Sequence, residues 1–145
     1  MNVLNVLKRK EERKTSARKA ILDLLEEIKK PLVVSEIIKR LNKKGIKIDR
    51  ATIFRNINLM VKENLINKIE LNEGKFRYES SFLPHHHHIV CTKCNMIKDI
   101  KSDFLHKEID NLSKKASKLY GFKMEDHKVE FFGRCRECKE LSPSL

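Results

Sequence analysis

Cys91 and Cys94 form one C-x-x-C pair, Cys135 and Cys138 form another, and together they use every cysteine in the chain. Each pair presents two sulfurs from a tight turn. Four thiolates complete a tetrahedral Zn²⁺ shell that is closed, and a closed shell is structural rather than catalytic. Redox-active C-x-x-C pairs are the competing chemistry, and two of them in one short basic chain is the weaker account. The 40 residues between the pairs exceed the spacing of a compact zinc ribbon. The fold must therefore bring the two ends together, and the metal should stabilise this half of the protein.

His85, His86, His87 and His88 run consecutively and end three residues before Cys91. In a strand, successive side chains alternate, so His85 and His87 face one way and His86 and His88 the other. Two histidine pairs can thus serve two metal sites, with His106 and His127 as candidate completing ligands; adventitious metal binding by a surface histidine tract is the alternative.

Elements must position these groups. Ala17, Ala20, Ile21, Leu24, Leu25 and Ile28 lie on one face of a helix over Ser16 to Lys30, which Pro31 ends. A short second helix is expected from Ser35, as N-cap, to Leu41. Asp49 caps a third from Arg50 to Lys62, with Ile53, Phe54, Ile57, Met60 and Val61 apolar and Arg50, Thr52, Arg55, Asn56 and Asn58 outward. Strands over Leu65–Leu71 and Lys75–Glu79 are joined through Asn72-Glu73-Gly74. Three helices and a hairpin make a winged helix-turn-helix, whose third helix enters the major groove while basic residues elsewhere contact phosphate.

Beyond a connector at Ser80 to Pro84, strands are expected over His85–Val90, Met96–Ile100 and Lys123–Phe132, with a helix over Asp103–Tyr120. That helix carries Leu105, Ile109, Leu112, Ala116 and Leu119 as a narrow stripe, read as packing on its own sheet, with a partner subunit as the alternative. The expected fold class is α+β, with a winged-helix domain over 1–80, a hinge at 80–84 and a metal-binding α/β domain over 85–145.

Charge fits this division. The chain has 145 residues and a net charge of +12; up to Glu79 there are 20 basic and 11 acidic residues, net +9, and after it 12 and 9, net +3. Concentrated positive charge raises encounter rates with polyanions and supports binding through counterion release. No apolar run approaches the 18 or more residues of a membrane span, and the N-terminus lacks the order of a secretory signal. A cytoplasmic, reducing location is expected, where paired cysteines favour metal over disulfides.

Thr15-Ser16-Ala17-Arg18, Ala51 to Ile57, Arg77-Tyr78-Glu79, His85 to Cys94, and His127 followed by Gly133-x-Cys135-x-x-Cys138 together resemble the ferric uptake regulator family of metal-dependent repressors, over residues 13 to 139. The resemblance implies a homodimer with an N-terminal winged helix, a C-terminal α/β dimerisation domain, and repression at inverted-repeat operators in double-stranded DNA. It implies a structural zinc site at Cys91, Cys94, Cys135 and Cys138, a regulatory hinge site of Glu79, His86, His88 and Asp99, and a further site of His85, His87, His106 and His127. The all-histidine set suits borderline metals such as Zn²⁺ better than Mg²⁺ or Mn²⁺. Thr52, Phe54 and Arg55 would face bases, with Lys14, Arg18, Arg50 and Lys75 on phosphate or in the minor groove.

Three departures stand out. Many relatives take a hinge-site histidine from the DNA-binding domain, where this chain has Pro31; Glu36 or water is the substitute to consider. Phe54 replaces a usual tyrosine, keeping contact with a thymine methyl but losing a hydroxyl hydrogen bond. Ala17 replaces a common glutamine. The resemblance implies an iron-responsive repressor, with Fe²⁺, Zn²⁺ or Mn²⁺ as regulatory metal; peroxide-sensing and zinc-responsive relatives are the runners-up. A zinc-dependent nuclease or hydrolase would need an open metal position beside a general base, and no such base stands out, so the chain is not expected to be an enzyme. A metal-buffering protein would leave the basic winged helix unexplained.

Overall fold

The computed structural model describes residues 3–139, with side chains at 5, 8, 9 and 15–139. The chain divides into two compact units, Met1–Pro84 and His85–Leu145. Among the described residues, no helix is long and apolar enough to cross a membrane.

The first unit begins with α1 (Val3–Ile28), α2 (Val34–Lys43) and α3 (Arg50–Lys62). α1 starts well before Ser16 because no Gly or Pro interrupts residues 3–28. The apolar stripe marks only the part of the helix that packs, where Ala17, Ile21, Leu24 and Leu25 are buried. α2 is capped at Val33 rather than Ser35: the Glu36 carboxylate accepts the Val33 N–H at 3.0 Å, satisfying a donor at the helix start. α3 has the expected bounds, and Asp49 accepts from Thr52 N at 2.9 Å and Thr52 Oγ1 at 2.5 Å. Those hydrogen bonds hold the Asp49 carboxyl below its usual range.

Ile21, Leu25, Ile37, Ile53 and Ile57 join the three helices in one core and are each at most 1% exposed. Removing such a side chain costs roughly 2–5 kcal/mol, so Ile57→Ala alone would forfeit much of a small unit's stability. The wing follows as β1 (Ile66–Glu70) and β2 (Phe76–Ser80), antiparallel from Ile66↔Ser80 to Glu70↔Phe76. Leu71 and Lys75 leave the ladder, so residues 71–75 form the loop, with Asn72 (φ 57°) and Gly74 (φ 72°) left-handed. Leu32, just before α2, adds an unanticipated bridge: Leu32 N–H donates to Tyr78 O at 2.9 Å and Tyr78 N–H to Leu32 O at 2.8 Å.

The second unit comprises β3 (His87–Cys91), β4 (Ile97–Ile100), α4 (Asp103–Tyr120), β5 (Glu130–Gly133) and α5 (Arg136–Lys139). β3 is central, antiparallel to β4 and parallel to β5. The strand expected over Lys123–Phe132 shrinks to β5, because β3 offers it partners only over His88–Cys91; the strand expected from His85 begins at His87 for want of a partner before it. Ser102 caps α4, accepting Leu105 N at 3.4 Å, and Gly121 (φ 71°) ends it in the left-handed region where glycine carries no Cβ penalty. No α4 side chain is buried, and Leu112 and Leu119 are 67% and 75% exposed. Leu105, Ile109 and Ala116 are half-buried, so the stripe is covered in part rather than packed throughout on its own sheet as expected.

Candidate metal centres and nucleic-acid interface

Cys91 ends β3 and Cys94 lies in the turn after it, where Asn95 N–H donates to Cys91 O at 2.9 Å. Cys135 immediately precedes α5 and Cys138 lies within it. The 40-residue gap is closed by parallel pairing of β3 with β5, which sets Cys91 opposite Gly133 and lets Thr92 N–H donate to Gly133 O at 2.8 Å. All four sulfurs then lie within 4.8 Å of one another. Zn–S bonds of about 2.3 Å in a tetrahedron place sulfurs about 3.8 Å apart, and Cys94 Sγ to Cys135 Sγ is 3.8 Å.

Backbone N–H groups of Cys135 (3.4 Å) and Cys94 (3.5 Å) point at Cys91 Sγ. They lower the Cys91 thiol to about 6. Cys138 is instead pushed up to about 12, first by the neighbouring Cys135 thiol and then by burial. Four sulfurs this close cannot all ionise without a cation among them, and a divalent ion with tetrahedral preference fits the set.

The histidines separate across β3. His85 and His87 ring centroids are 4.8 Å apart, and each lies 5.2 Å from His106 on α4. His127, in the segment before β5, brings its Nε2 to 3.2 Å from His85 Nε2. Among the described residues, His87 Nε2 is buried with no hydrogen-bond partner, while a backbone hydrogen bond at Val129 engages the rest of that ring. An orphaned imidazole nitrogen facing three other histidines is the arrangement a cation would satisfy, with the second ring nitrogen fixing the tautomer. Burial first, then the neighbouring histidines, lower the pKa of both His85 and His87, which favours the neutral form that ligates metal.

On the other side, His86 Nε2 and His88 Nε2 are 3.1 Å apart, and Asp99, opposite His88 in the β3–β4 ladder, has Oδ1 3.9 Å from His88 Nε2. Glu79 lies in β2 of the first unit, opposite Asn67.

The exposed side of α3 carries Arg55, whose Nη2 donates to Thr52 Oγ1 at 3.5 Å, and Arg50, whose guanidinium lies 5.3 Å from the Phe54 ring centroid. Phe54, one of the apolar positions of this helix, is 37% exposed on this side. Asn56 departs the other way. Expected outward, it is 4% exposed, its Nδ2 donating to Thr52 O at 2.8 Å and its Oδ1 accepting from Arg18 Nε at 3.2 Å. Its spacing from Ile53 and Met60 is the signal for an inward position. Lys75 is in the wing loop; the Lys14 side chain lies outside those described.

A family model described as "Ferric uptake regulator family" matches residues 9–132. The chain belongs to this family. A ferric uptake regulation protein of Neisseria gonorrhoeae is 30% identical over 126 residues, covering 86% of this chain and 85% of that one. The solved ferric uptake regulator of Helicobacter pylori, described as having three functional metal binding sites, superposes with a TM-score of 0.75 at 26% identity over 99% of this chain and 97% of that one. The Campylobacter jejuni peroxide stress regulator superposes with a TM-score of 0.76 at 26% identity, covering 95% of this chain and 100% of that one. Ferric uptake regulator family members are metal-responsive transcription regulators that bind DNA, and the winged helix followed by a C-terminal α/β domain is their architecture.

Within this family member, Arg77 ties the segment at Pro31 to the wing. Arg77 Nη1 donates to Pro31 O at 3.2 Å and lies 3.5 Å from Glu36 Oε2. Glu36, the substitute ligand that the missing histidine suggests, is thus engaged by Val33 N–H and by Arg77. Sequence reasoning named Arg77 within a motif but not this role, because two of its partners, Glu36 and Pro31, lie 41 and 46 residues away.

Proposed function

We propose that this protein is an iron-responsive repressor that binds inverted-repeat operators as a homodimer in the cytoplasm. The observation that carries the reading is the grouping of His86, His88 and Asp99 at the start of the second unit, directly after the connector from the winged helix. Glu79, carried over from the family resemblance, is the ligand from the first unit.

The bound cation supplies charge and coordination bonds that favour one arrangement of the two units. It shifts that equilibrium only by its difference in affinity between arrangements, and a coupling of roughly 1–3 kcal/mol changes operator affinity about 5- to 150-fold. Cys91, Cys94, Cys135 and Cys138 hold structural zinc that closes the second unit; His85, His87, His106 and His127 form a further site suited to Zn²⁺. Arg55, Thr52 and Phe54 read bases, while Lys14, Arg18, Arg50 and Lys75 contact the backbone. The dimer uses the exposed apolar surface of the second unit, where Ile89 and Phe131 pair across β3 and β5 at 44% and 46% exposure.

Metal analysis of untagged protein, coupled to operator binding with Fe²⁺, Mn²⁺ and Zn²⁺, tests the reading. Fe²⁺ should tighten binding to a palindromic duplex without cleaving it; cleavage would favour a nuclease, and metal uptake with no effect on binding would favour metal buffering. Arg55→Ala should abolish operator discrimination at unchanged zinc content, and retained sequence preference in a gel-shift series would sink the base-reading role. A second reading, peroxide sensing, is favoured by the carboxylate of Asp99 beside His88 and by the likeness to the Campylobacter jejuni peroxide stress regulator. Loss of operator binding when the Fe²⁺ form meets peroxide, accompanied by oxidation of His86 or His88, would select it.

A further inference from the structure

We propose that Arg77 is a positioning residue for Glu79: by tying β2 to the wing loop and to the connector between α1 and α2, it fixes the strand that carries the first unit's ligand before any metal arrives. The inference rests on the proposed role of Glu79 in the hinge site and adds the group that sets how tightly Glu79 can bind.

β1 and β2 make a two-stranded sheet, and a hairpin of two strands is marginal by itself in water, so the place of β2 depends on what anchors it to the helices. Ile66 and Tyr78 anchor the hairpin by packing into the helical core. The backbone anchor is a single bridge, the reciprocal hydrogen bonds of Tyr78 with Leu32. Arg77 supplies a polar anchor. Its guanidinium donates to Pro31 O at 3.2 Å and lies 3.5 Å from Glu36 Oε2, while in the wing loop it donates to both oxygens of Glu73 at 2.7 and 2.9 Å. One side chain thus joins the wing loop, β2, the connector and α2.

Arg77 and Glu79 stand two residues apart in β2, so their side chains leave the strand on the same side, and both are buried. Past Glu79, Ser81 N–H donates to Leu65 O at 3.1 Å. Glu79 is therefore held between two fixed points. A ligand fixed in advance loses less freedom on binding metal than one carried by a loose strand. Charge acts in the same direction, because an unpaired guanidinium two residues from a ligand would repel an incoming cation, and the carboxylates of Glu73 and Glu36 offset it.

The experiment is titration of Mn²⁺ into full-length protein that carries zinc at the cysteine cluster, Mn²⁺ being a metal that suits carboxylate-containing ligand sets better than imidazole alone. Glu73→Gln removes one charge of the clamp, and Arg77→Lys keeps the charge but loses the fork. Each should weaken Mn²⁺ binding about tenfold, the low end for groups that orient a ligand from outside the metal's own shell. Glu79→Gln should weaken it as well, and adding either clamp substitution to Glu79→Gln should cost nothing further. A loosened first unit or a change of field alone would instead give the same loss with and without Glu79. That result, or wild-type affinity in Arg77→Lys or Glu73→Gln, overturns the positioning role alone, and the use of two clamp variants guards against a folding defect in either. Wild-type affinity in Glu79→Gln overturns the hinge-site reading and the positioning role with it.

Discussion

Arg18 Nε donates to Asn56 Oδ1 at 3.2 Å, tying α1 to α3 through an amide that is 4% exposed. The amide is itself oriented by its bond to Thr52 O, so Arg18 is held by α3, the helix proposed to read bases. Arg18→Ala and Asn56→Ala should each weaken duplex binding. Because Asn56 acts through Arg18, the double variant should lose less than the sum, by about 0.5–3 kcal/mol in the cycle. Strict additivity in duplex titrations would mean Arg18 reaches DNA unaided.

Arg77 and Glu73 form a two-pronged pair, Nε to Oε2 at 2.7 Å and Nη2 to Oε1 at 2.9 Å, with side chains 10% and 5% exposed. Removing one partner leaves a buried charge uncompensated, so Arg77→Ala should destabilise the first unit by about 3–5 kcal/mol, readable by urea denaturation.

Acid should act on the same pair. The Arg77 hydrogen bond holds the Glu73 carboxyl below its usual range, against the opposing effect of burial. A carboxyl depressed in the folded state contributes stability that is complete above its unfolded value of about 4.3 and is lost as pH falls through the folded value. Glu73→Gln should remove that part of the acid dependence; identical acid limbs for wild type and variant in pH-resolved denaturation would show that the pair does not titrate with unfolding.

Among the described residues, His87 carries a buried nitrogen without a partner, an unfavourable arrangement that a cation would relieve. His87→Leu should therefore raise metal-free stability by about 1–3 kcal/mol while lowering the gain on adding Zn²⁺. Thermal melts with and without metal give both signs, and a variant destabilised equally in the two states would refute the assignment.

Cys91 receives two backbone N–H groups and closes β3, so it is the cysteine on which the four-sulfur cluster depends most. Cys91→Ser, or a strong chelator, should release one zinc per chain and abolish cooperative unfolding of the second unit. The first unit, with its own core, should keep its transition. Circular dichroism with metal analysis checks this, and a variant that retains its zinc would remove Cys91 from the site.

Local signals are legible where they are periodic or chemically rigid. Asp49 caps α3, Asp103–Tyr120 forms α4 with its expected ends, and alternation along the histidine run separates His85 and His87 from His86 and His88. These depend on residues within a turn or two of one another. Asn56 runs against its polarity because a buried amide is acceptable once both its groups are bonded, and its spacing outweighs its residue type.

The sequence by itself determined the ligand chemistry, the basic winged-helix half and the two faces of β3, since residue type and short-range spacing set these. Only the tertiary structure decided that β5 joins β3 in parallel and closes 40 residues into one sulfur cluster, and that Arg77 gathers Pro31, Glu36 and Glu73. It also decided that Leu112 and Leu119 of α4 stay exposed among the described residues. Each of these depends on contacts between residues far apart in sequence, whose pairing follows from how the apolar faces pack and which backbone groups remain to be bonded, and no local pattern encodes that choice.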